Sequence, residues 1–233
     1  MSHVIVKNID RPDQNAIEKL KSFGTATVHE AMGRTGLMNP YLRPIYDTAK
    51  VCGTAVTVSA HPGDNLMIHA AIEMCQPGDV LVVTVTSDNT DGMFGDLLGV
   101  SAQSRGVEGL IIDAGVRDTT ELTEMKFPVW AKAISAKGTV KATPGSVNIP
   151  VVCAGAIVNP GDVIIGDRDG VVIVPKEDVE KVALAAHARE DREAKVRQRL
   201  AKGELGLDIY GLREKLENLG VTYVDKGTVK VES

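Results

Sequence analysis

Apolar positions along this chain change period several times, and each change predicts a change of element. Residues 14–23, QNAIEKLKSF, set Ile17, Leu20 and Phe23 three apart behind a polar start, the spacing of one helix face. A second short helix is expected from Thr27, stopped by Gly33. From Val51 to Ser59 the pattern becomes a β-branched run, VCGTAVTVS, which reads as a strand. HPGDNLMIHAAIEMC then gives a turn, a capping Asp64 or Asn65, and a helix that ends before QPGD at 76–79. The continuous run VLVVTVT predicts a strand buried on both faces. A helix is expected in GDLLGVSAQSRG, with Gly95 and Asp96 at its start, followed by a strand in GLIIDAG. RDTTELTEM begins another helix and FPVWAKAI another strand.

Strand and helix alternate from 51 to 134, which implies parallel β-α units. Residues 150–175 break that rhythm: three short strands are expected there, divided by the turn signals NPGD and DRDG. The expected fold is therefore an α/β sandwich with a parallel β-α part, a following β meander and a long C-terminal helix. That helix spans 176–202, and its apolar positions thin out after Ala188, so core burial alone cannot hold its second half. Residues 1–175 are expected to form the α/β domain and 176–233 a helical extension that packs on a neighbouring subunit of a homo-oligomer.

Composition narrows the function classes. At 233 residues, with 43% apolar and 24% charged residues, the chain can bury a real core. A net charge of -5, without a basic stripe, argues against a nucleic-acid surface. Cys52, Cys75 and Cys153 are an odd count without CxxC spacing, so neither a disulfide framework nor a zinc site is expected. No run reaches the length of a membrane span and no signal pattern opens the chain, so a cytoplasmic protein with reduced thiols is expected.

Two polar islands interrupt the apolar stretch 95–122. Asp96 stands at the start of one expected helix, and Arg117 and Asp118 follow the next expected strand. If both open at adjacent strand ends, they share the crevice in which α/β sheets bind ligands. Arg117 would then offer a bidentate fork, Asp118 a hard oxygen ligand, and Asp96 an acid-base carboxylate beside the free amides of Leu97 and Leu98. Ordinary helix caps and a surface ion pair explain the same residues, and spacing alone leaves both readings open.

The pattern of Asp96, twenty residues, then Arg117 and Asp118 resembles the signature of the class II pyruvate aldolases of the RraA-like superfamily. VHEAMGRTG, HPGDNLMIHAAIE, DRDGVVIVP and GELGLDIYGLREKLENLGV resemble that family as well, so the likeness covers nearly the whole chain. It implies an RraA-like αββα sandwich that cleaves 4-hydroxy-4-methyl-2-oxoglutarate or 4-carboxy-4-hydroxy-2-oxoadipate, with oxaloacetate decarboxylation as a side activity, in the breakdown of aromatic acids such as protocatechuate and gallate. By resemblance, Asp118 binds Mg²⁺ or Mn²⁺ and Arg117 binds the keto oxygen and stabilises the enolate. Gly95 and the amides of Leu97 and Leu98 hold the pyruvoyl carboxylate, Asp96 orders a proton-carrying water, and Asn65 lines the same pocket. Glu30 and Glu193 reach the metal waters from a neighbouring subunit of a trimer or hexamer.

Two rival readings fit the same residues. A class I aldolase would use a Schiff-base lysine, for which Lys132, Lys137 and Lys141 are candidates. A non-catalytic RraA-like regulator of ribonuclease E would dock on another protein. His61, His69, Asp167 and Asp169 invite a metal reading, but His69 fits a helix position near the pocket and DRDG fits a hairpin turn.

Overall fold

The computed structural model describes residues 3–225 and divides the chain into two units, one up to His187 and one from Ala188. In the first unit, helices α1 (Gln14–Lys21) and α2 (Thr25–Ala31) precede a short strand β1 (Arg43–Pro44) and the long strand β2 (Val51–Ala60). Then follow α3 (Leu66–Met74), β3 (Asp79–Val85), β4 (Gly92–Phe94), α4 (Asp96–Ser104), β5 (Gly109–Val116), α5 (Thr119–Glu124) and β6 (Val129–Ile134). Strands β7 (Ser146–Val147), β8 (Val151–Cys153), β9 (Ala156–Val158), β10 (Val163–Gly166) and β11 (Val171–Val174) lead into α6 (Val179–Ala201), α7 (Gly206–Ile209) and α8 (Leu212–Asn218).

The alternation between 51 and 134 becomes a parallel run, with β2 beside β3, β3 beside β5 and β5 beside β6. Strand order in the main sheet is β1-β6-β5-β3-β2-β10-β11. Every residue of β2 except Ser59, and the first five of β3, are buried, in keeping with the β-branched and apolar residues that dominate both. Side chains on one face of β2, β3 and β5, such as Val58, Leu81 and Ile112, pack with α3, α4 and α5. The opposite face, including Val82, Ile111 and Trp130, is covered by the β8-β9 hairpin and the segment around Leu42. At the far edge α1, α2 and the first turns of α6 pack on β10 and β11.

The meander differs in detail from its expected form. It contains four strands, because Ala154 and Gly155, both at positive φ, turn the chain between β8 and β9. That hairpin is a two-stranded sheet of its own, whereas β10 and β11 extend the main sheet antiparallel to β2. Helix α2 begins at Thr25, two residues before the expected Thr27, because the Asp167 carboxylate accepts from the Thr25 amide at 2.9 Å. A partner 142 residues away supplies the cap that the local sequence lacks.

Val179, Val182, Ala183 and Ala186 are buried, so the first turns of α6 belong to the compact unit. The second unit, by itself, has no buried residue in α7 or α8 and is tied by short ion pairs, Arg189–Glu193 and Arg199–Glu204, both at 2.7 Å. Leu205, Tyr210, Leu219 and Tyr223 are exposed there. Among the described residues no helix is long and apolar enough to cross a membrane, and all three cysteines are buried free thiols.

Candidate active site

The two polar islands meet through a strand that the apolar pattern did not announce. Strand β4 lies parallel to the end of β5, pairing Gly92 with Gly115 and Phe94 with Val116. Gly115 permits this approach, since a Cβ there would stand 2.2 Å from the Thr90 carbonyl oxygen. The chain leaving β4 therefore runs beside the chain leaving β5. The Arg117 amide donates to the Phe94 carbonyl at 2.9 Å, and the Asp96 amide donates to Asp118 Oδ2 at 3.2 Å.

Gly95 makes the junction possible. A Cβ on Gly95 would fall 2.1 Å from Asp118 Oδ2 and 3.1 Å from both Cγ and Nε of Arg117. Asp118 itself adopts a left-handed backbone, φ 53° and ψ 41°, a conformation that Asp tolerates better than most residues. It occupies the N-cap position of α5, yet its side chain makes no cap bond there. The carboxylate turns instead toward α4, where Oδ2 also faces Arg117 Nε at 3.3 Å. Its Oδ1 has no partner among the described residues.

Helix α4 starts with no side-chain cap. Gly95 supplies the first helical carbonyl, which accepts from the Gly99 amide at 3.0 Å, and Asp96 stands in the first turn. The amides of Leu97 and Leu98 have no acceptor among the described residues. Such amides, at the positive end of nine helical residues, favour an anion. The Leu97 side chain is 77% exposed and that of Leu98 is buried, so what both offer the cleft is backbone.

These groups line one cleft of about 120 Å³, formed by Asn65, His69, Gly95, Asp96, Arg117 and Lys141 together with Gly92, Met93, Leu97 and Leu98. Asn65, the N-cap residue of α3, is buried; its Nδ2 donates to the Met93 carbonyl at 3.1 Å, and its Oδ1 is unpartnered. His69, one turn further along α3, has its pKa lowered by burial and by the charge of Lys141.

A small hard cation fits this donor set. One carboxylate with an open oxygen suits an ion held largely by water and substrate, as Mg²⁺ commonly is. Among the described residues no group of three or more His, Cys, Asp or Glu forms a protein cage, and that mode of binding needs none.

The remaining candidates lie elsewhere. Glu30 sits on α2 and accepts from Arg34 Nε at 3.0 Å; it does not line the cleft. Glu193 belongs to the second unit, where it pairs with Arg189. His61 is exposed, with Nδ1 2.9 Å from its neighbour's carbonyl at Pro62. Asp167 and Asp169 form the turn between β10 and β11, and the Asp167 carboxylate holds Thr25 Oγ1 and the Asp169 amide.

Lys132, Lys137 and Lys141, the Schiff-base candidates, have different surroundings in the fold. Lys132 pairs with Asp88 and Asp113, and Lys137 with Asp91 at 3.0 Å. Lys141 lines the cleft and has no carboxylate partner among the described residues. No signal in its own neighbourhood distinguishes it, because the loop carrying it is positioned by Asp64, far back in the chain.

Comparison with known proteins places this architecture. A model of the RraA-like family, described as Aldolase/RraA, matches residues 25–173. A protein of Halalkalibacterium halodurans named "Putative 4-hydroxy-4-methyl-2-oxoglutarate aldolase" is 30% identical over 182 residues, covering 78% of this chain and 87% of that protein. Its namesake from Burkholderia multivorans is 34% identical over 143 residues, covering 61% and 87%. Among solved structures, Streptomyces coelicolor RraAS2, described as an unusual member of the RNase ES inhibitor RraA protein family, superposes with a TM-score of 0.74 at 27% identity, covering 82% of this chain and 100% of that one. With most of its compact unit inside the matched region, the chain belongs to the RraA-like, or Aldolase/RraA, family.

Proposed function

We propose that the protein is a divalent-metal pyruvate aldolase. It splits 4-hydroxy-4-methyl-2-oxoglutarate into two pyruvates, or 4-carboxy-4-hydroxy-2-oxoadipate into pyruvate and oxaloacetate, and decarboxylates oxaloacetate as a side reaction. The observation that carries this reading is the convergence of Arg117, Asp96 and two free helix amides on one cleft, with Asp118 held against Arg117 and the Asp96 amide at its edge.

Each group has a task that its geometry suits. The amides of Leu97 and Leu98 receive the C1 carboxylate of the substrate. Arg117, held through Nε by Asp118, presents the rest of its guanidinium to the 2-keto oxygen. As the C3–C4 bond breaks, its electron pair moves to a pyruvate enolate, and the negative charge gathers on that oxygen beside the fixed cation. The proton leaves the C4 hydroxyl as its C–O bond becomes a carbonyl, and C3 of the enolate takes a proton. Asp96, half-buried at the cleft, orders the water that carries these protons.

Mg²⁺ or Mn²⁺, when bound at the open oxygen of Asp118, supplies Lewis-acid polarisation of the keto oxygen. In this reading the chain works as a homotrimer or hexamer, and Glu30 and Glu193 of a neighbouring subunit touch the metal waters. The exposed apolar residues of the second unit favour such an assembly.

Pyruvate release, followed by coupled reduction with lactate dehydrogenase, tests the reading on both aldol substrates and oxaloacetate. Turnover should require Mg²⁺ or Mn²⁺ and disappear with EDTA. An absence of pyruvate from all three substrates, with capture of a ribonuclease, would replace the aldolase with the regulatory role named for the Streptomyces relative's family.

A further inference from the structure

One contact through Nε does not by itself fix a guanidinium. Arg117 pairs with Asp118 at 3.3 Å, yet its side chain is 45% exposed and has several rotatable bonds. Its other neighbours form a slot of bare backbone. A Cβ on Gly92 would stand 3.1 Å from Arg117 Cβ, one on Gly95 would stand 3.1 Å from Cγ and Nε, and one on Gly138 would stand 3.6 Å from Nη1. Glycines thus flank the arginine from Cβ to its tip, two from the end of β4 and one from the loop after β6.

That loop has little of its own to hold it in place, since none of residues 135–138 is buried. Two backbone bonds fasten it: the Ser135 amide donates to the Val116 carbonyl, and the Gly92 amide donates to the Lys137 carbonyl, both at 2.9 Å. A side-chain link joins the same two walls, with Lys137 Nζ 3.0 Å from Asp91 Oδ1. The Asp91 end is firmly placed. Its side chain is 14% exposed, its amide donates to Asn89 Oδ1 at 2.8 Å, and its Oδ2 occupies space that a Cβ on Gly63 would invade at 2.9 Å. The bond to Lys137 holds the Asp91 carboxyl below its usual range. Neither Asp91 nor Lys137 lines the cleft.

We infer that the Asp91–Lys137 pair is a clasp that holds loop 135–138 against the end of β4 and so fixes the orientation of the Arg117 guanidinium. Asp91 and Lys137 are positioning residues that act through Arg117. The consequence for rate rests on the aldolase reading, in which Arg117 meets the charge of the enolate. A pair whose lysine is 71% exposed adds little to stability, so breaking it leaves the fold intact, whereas a displaced guanidinium loses rate steeply.

The test follows pyruvate release from 4-hydroxy-4-methyl-2-oxoglutarate by the full-length protein with saturating Mg²⁺. Lys137→Met should lower kcat about 10-fold while KM changes less than about twofold. Lys137→Arg, which can still pair with Asp91, should keep most of kcat, and Asp91→Asn should match Lys137→Met. An Arg117→Lys background lacks the terminal nitrogens that lie against Gly138, so there Lys137→Met should cost less than about twofold. A 10-fold loss that persists in that background overturns the inference, because the pair would then act elsewhere. Wild-type kcat in folded Lys137→Met overturns it too. The ¹⁵N heteronuclear NOE of the Arg117 Nε–H reads the rigidity of the side chain without turnover, and it should drop in Lys137→Met. If the wild-type protein releases no pyruvate and the NOE drops, the aldolase reading fails and the clasp stands. If the wild type is active and neither kcat nor the NOE moves, the clasp fails and the aldolase reading stands.

Discussion

The chain places arginine next to aspartate after a strand twice, and the two corners meet different fates. After β5, Arg117 and Asp118 face each other at 3.3 Å across Gly95, beside a helix end with free amides. After β10, Asp167, Arg168 and Asp169 turn the chain into β11. There the Asp167 carboxylate is used up by the start of α2 and the Asp169 amide, and Arg168, 73% exposed, pairs among the described residues with the 79% exposed Asp47 at 3.8 Å. The same residue types give a candidate active site in one place and a fold-supporting turn in the other. What separates them is the surroundings: a glycine that leaves no room for a Cβ, an unused carboxylate oxygen, and unsatisfied helix amides.

Substituting each corner in turn should expose that difference. Asp118→Asn tolerates the left-handed backbone but removes the charge, so metal-dependent pyruvate release should fall about 1000-fold with the fold intact. Asp167→Asn should leave kcat/KM unchanged and lower stability by about 1 kcal/mol through the weakened helix cap, as read by urea unfolding. Metal titration of both variants distinguishes the corners, and equal losses of activity would erase the contrast.

A finer probe uses the two glycines that face the aspartates. Gly95→Ala places a methyl 2.1 Å from Asp118 Oδ2, and should cost about 100-fold in kcat/KM by driving that carboxylate and Arg117 out of register. In Gly24→Ala the added methyl meets Asp167 Oδ2 at 3.5 Å, an ordinary contact, so activity should be retained. A fully active Gly95→Ala enzyme would mean that the junction tolerates what its geometry forbids.

The smallest effect concerns His69. Its imidazole should titrate below the ordinary 6.5, because burial and then the Lys141 charge both favour the neutral ring. The folded value is the depressed one, so stability linked to this ring is present above pH 6.5 and is lost as pH falls through the lower folded value. Lys141→Met should move the NMR midpoint part of the way back up, leaving the share due to burial. An unmoved midpoint would mean that Lys141 and His69 do not share the cleft.

The pieces governed by short-range pattern were legible in the chain itself. Periodicity located β2, β3, β5 and β6, and the spacing from Asp96 to Arg117 contained one helix and one strand, as the fold requires. Features set by distant partners were not. Strand β4 is three residues long and depends on Gly115 to lie against β5. The start of α2 depends on Asp167, and the position of Lys141 depends on Asp64, 77 residues earlier by number. The β8-β9 turn rests on Ala154 at φ 46°, which carries no turn signal of the kind that Asn or Asp would give.

The central claim is that the Arg117 corner carries the chemistry, and Arg117→Ala tests it most directly. Pyruvate release from 4-hydroxy-4-methyl-2-oxoglutarate with saturating Mg²⁺ should fall by about three orders of magnitude while the unfolding midpoint stays close to wild type, since Arg117 is exposed at its strand end. Near-wild-type turnover by a folded Arg117→Ala protein would contradict the account.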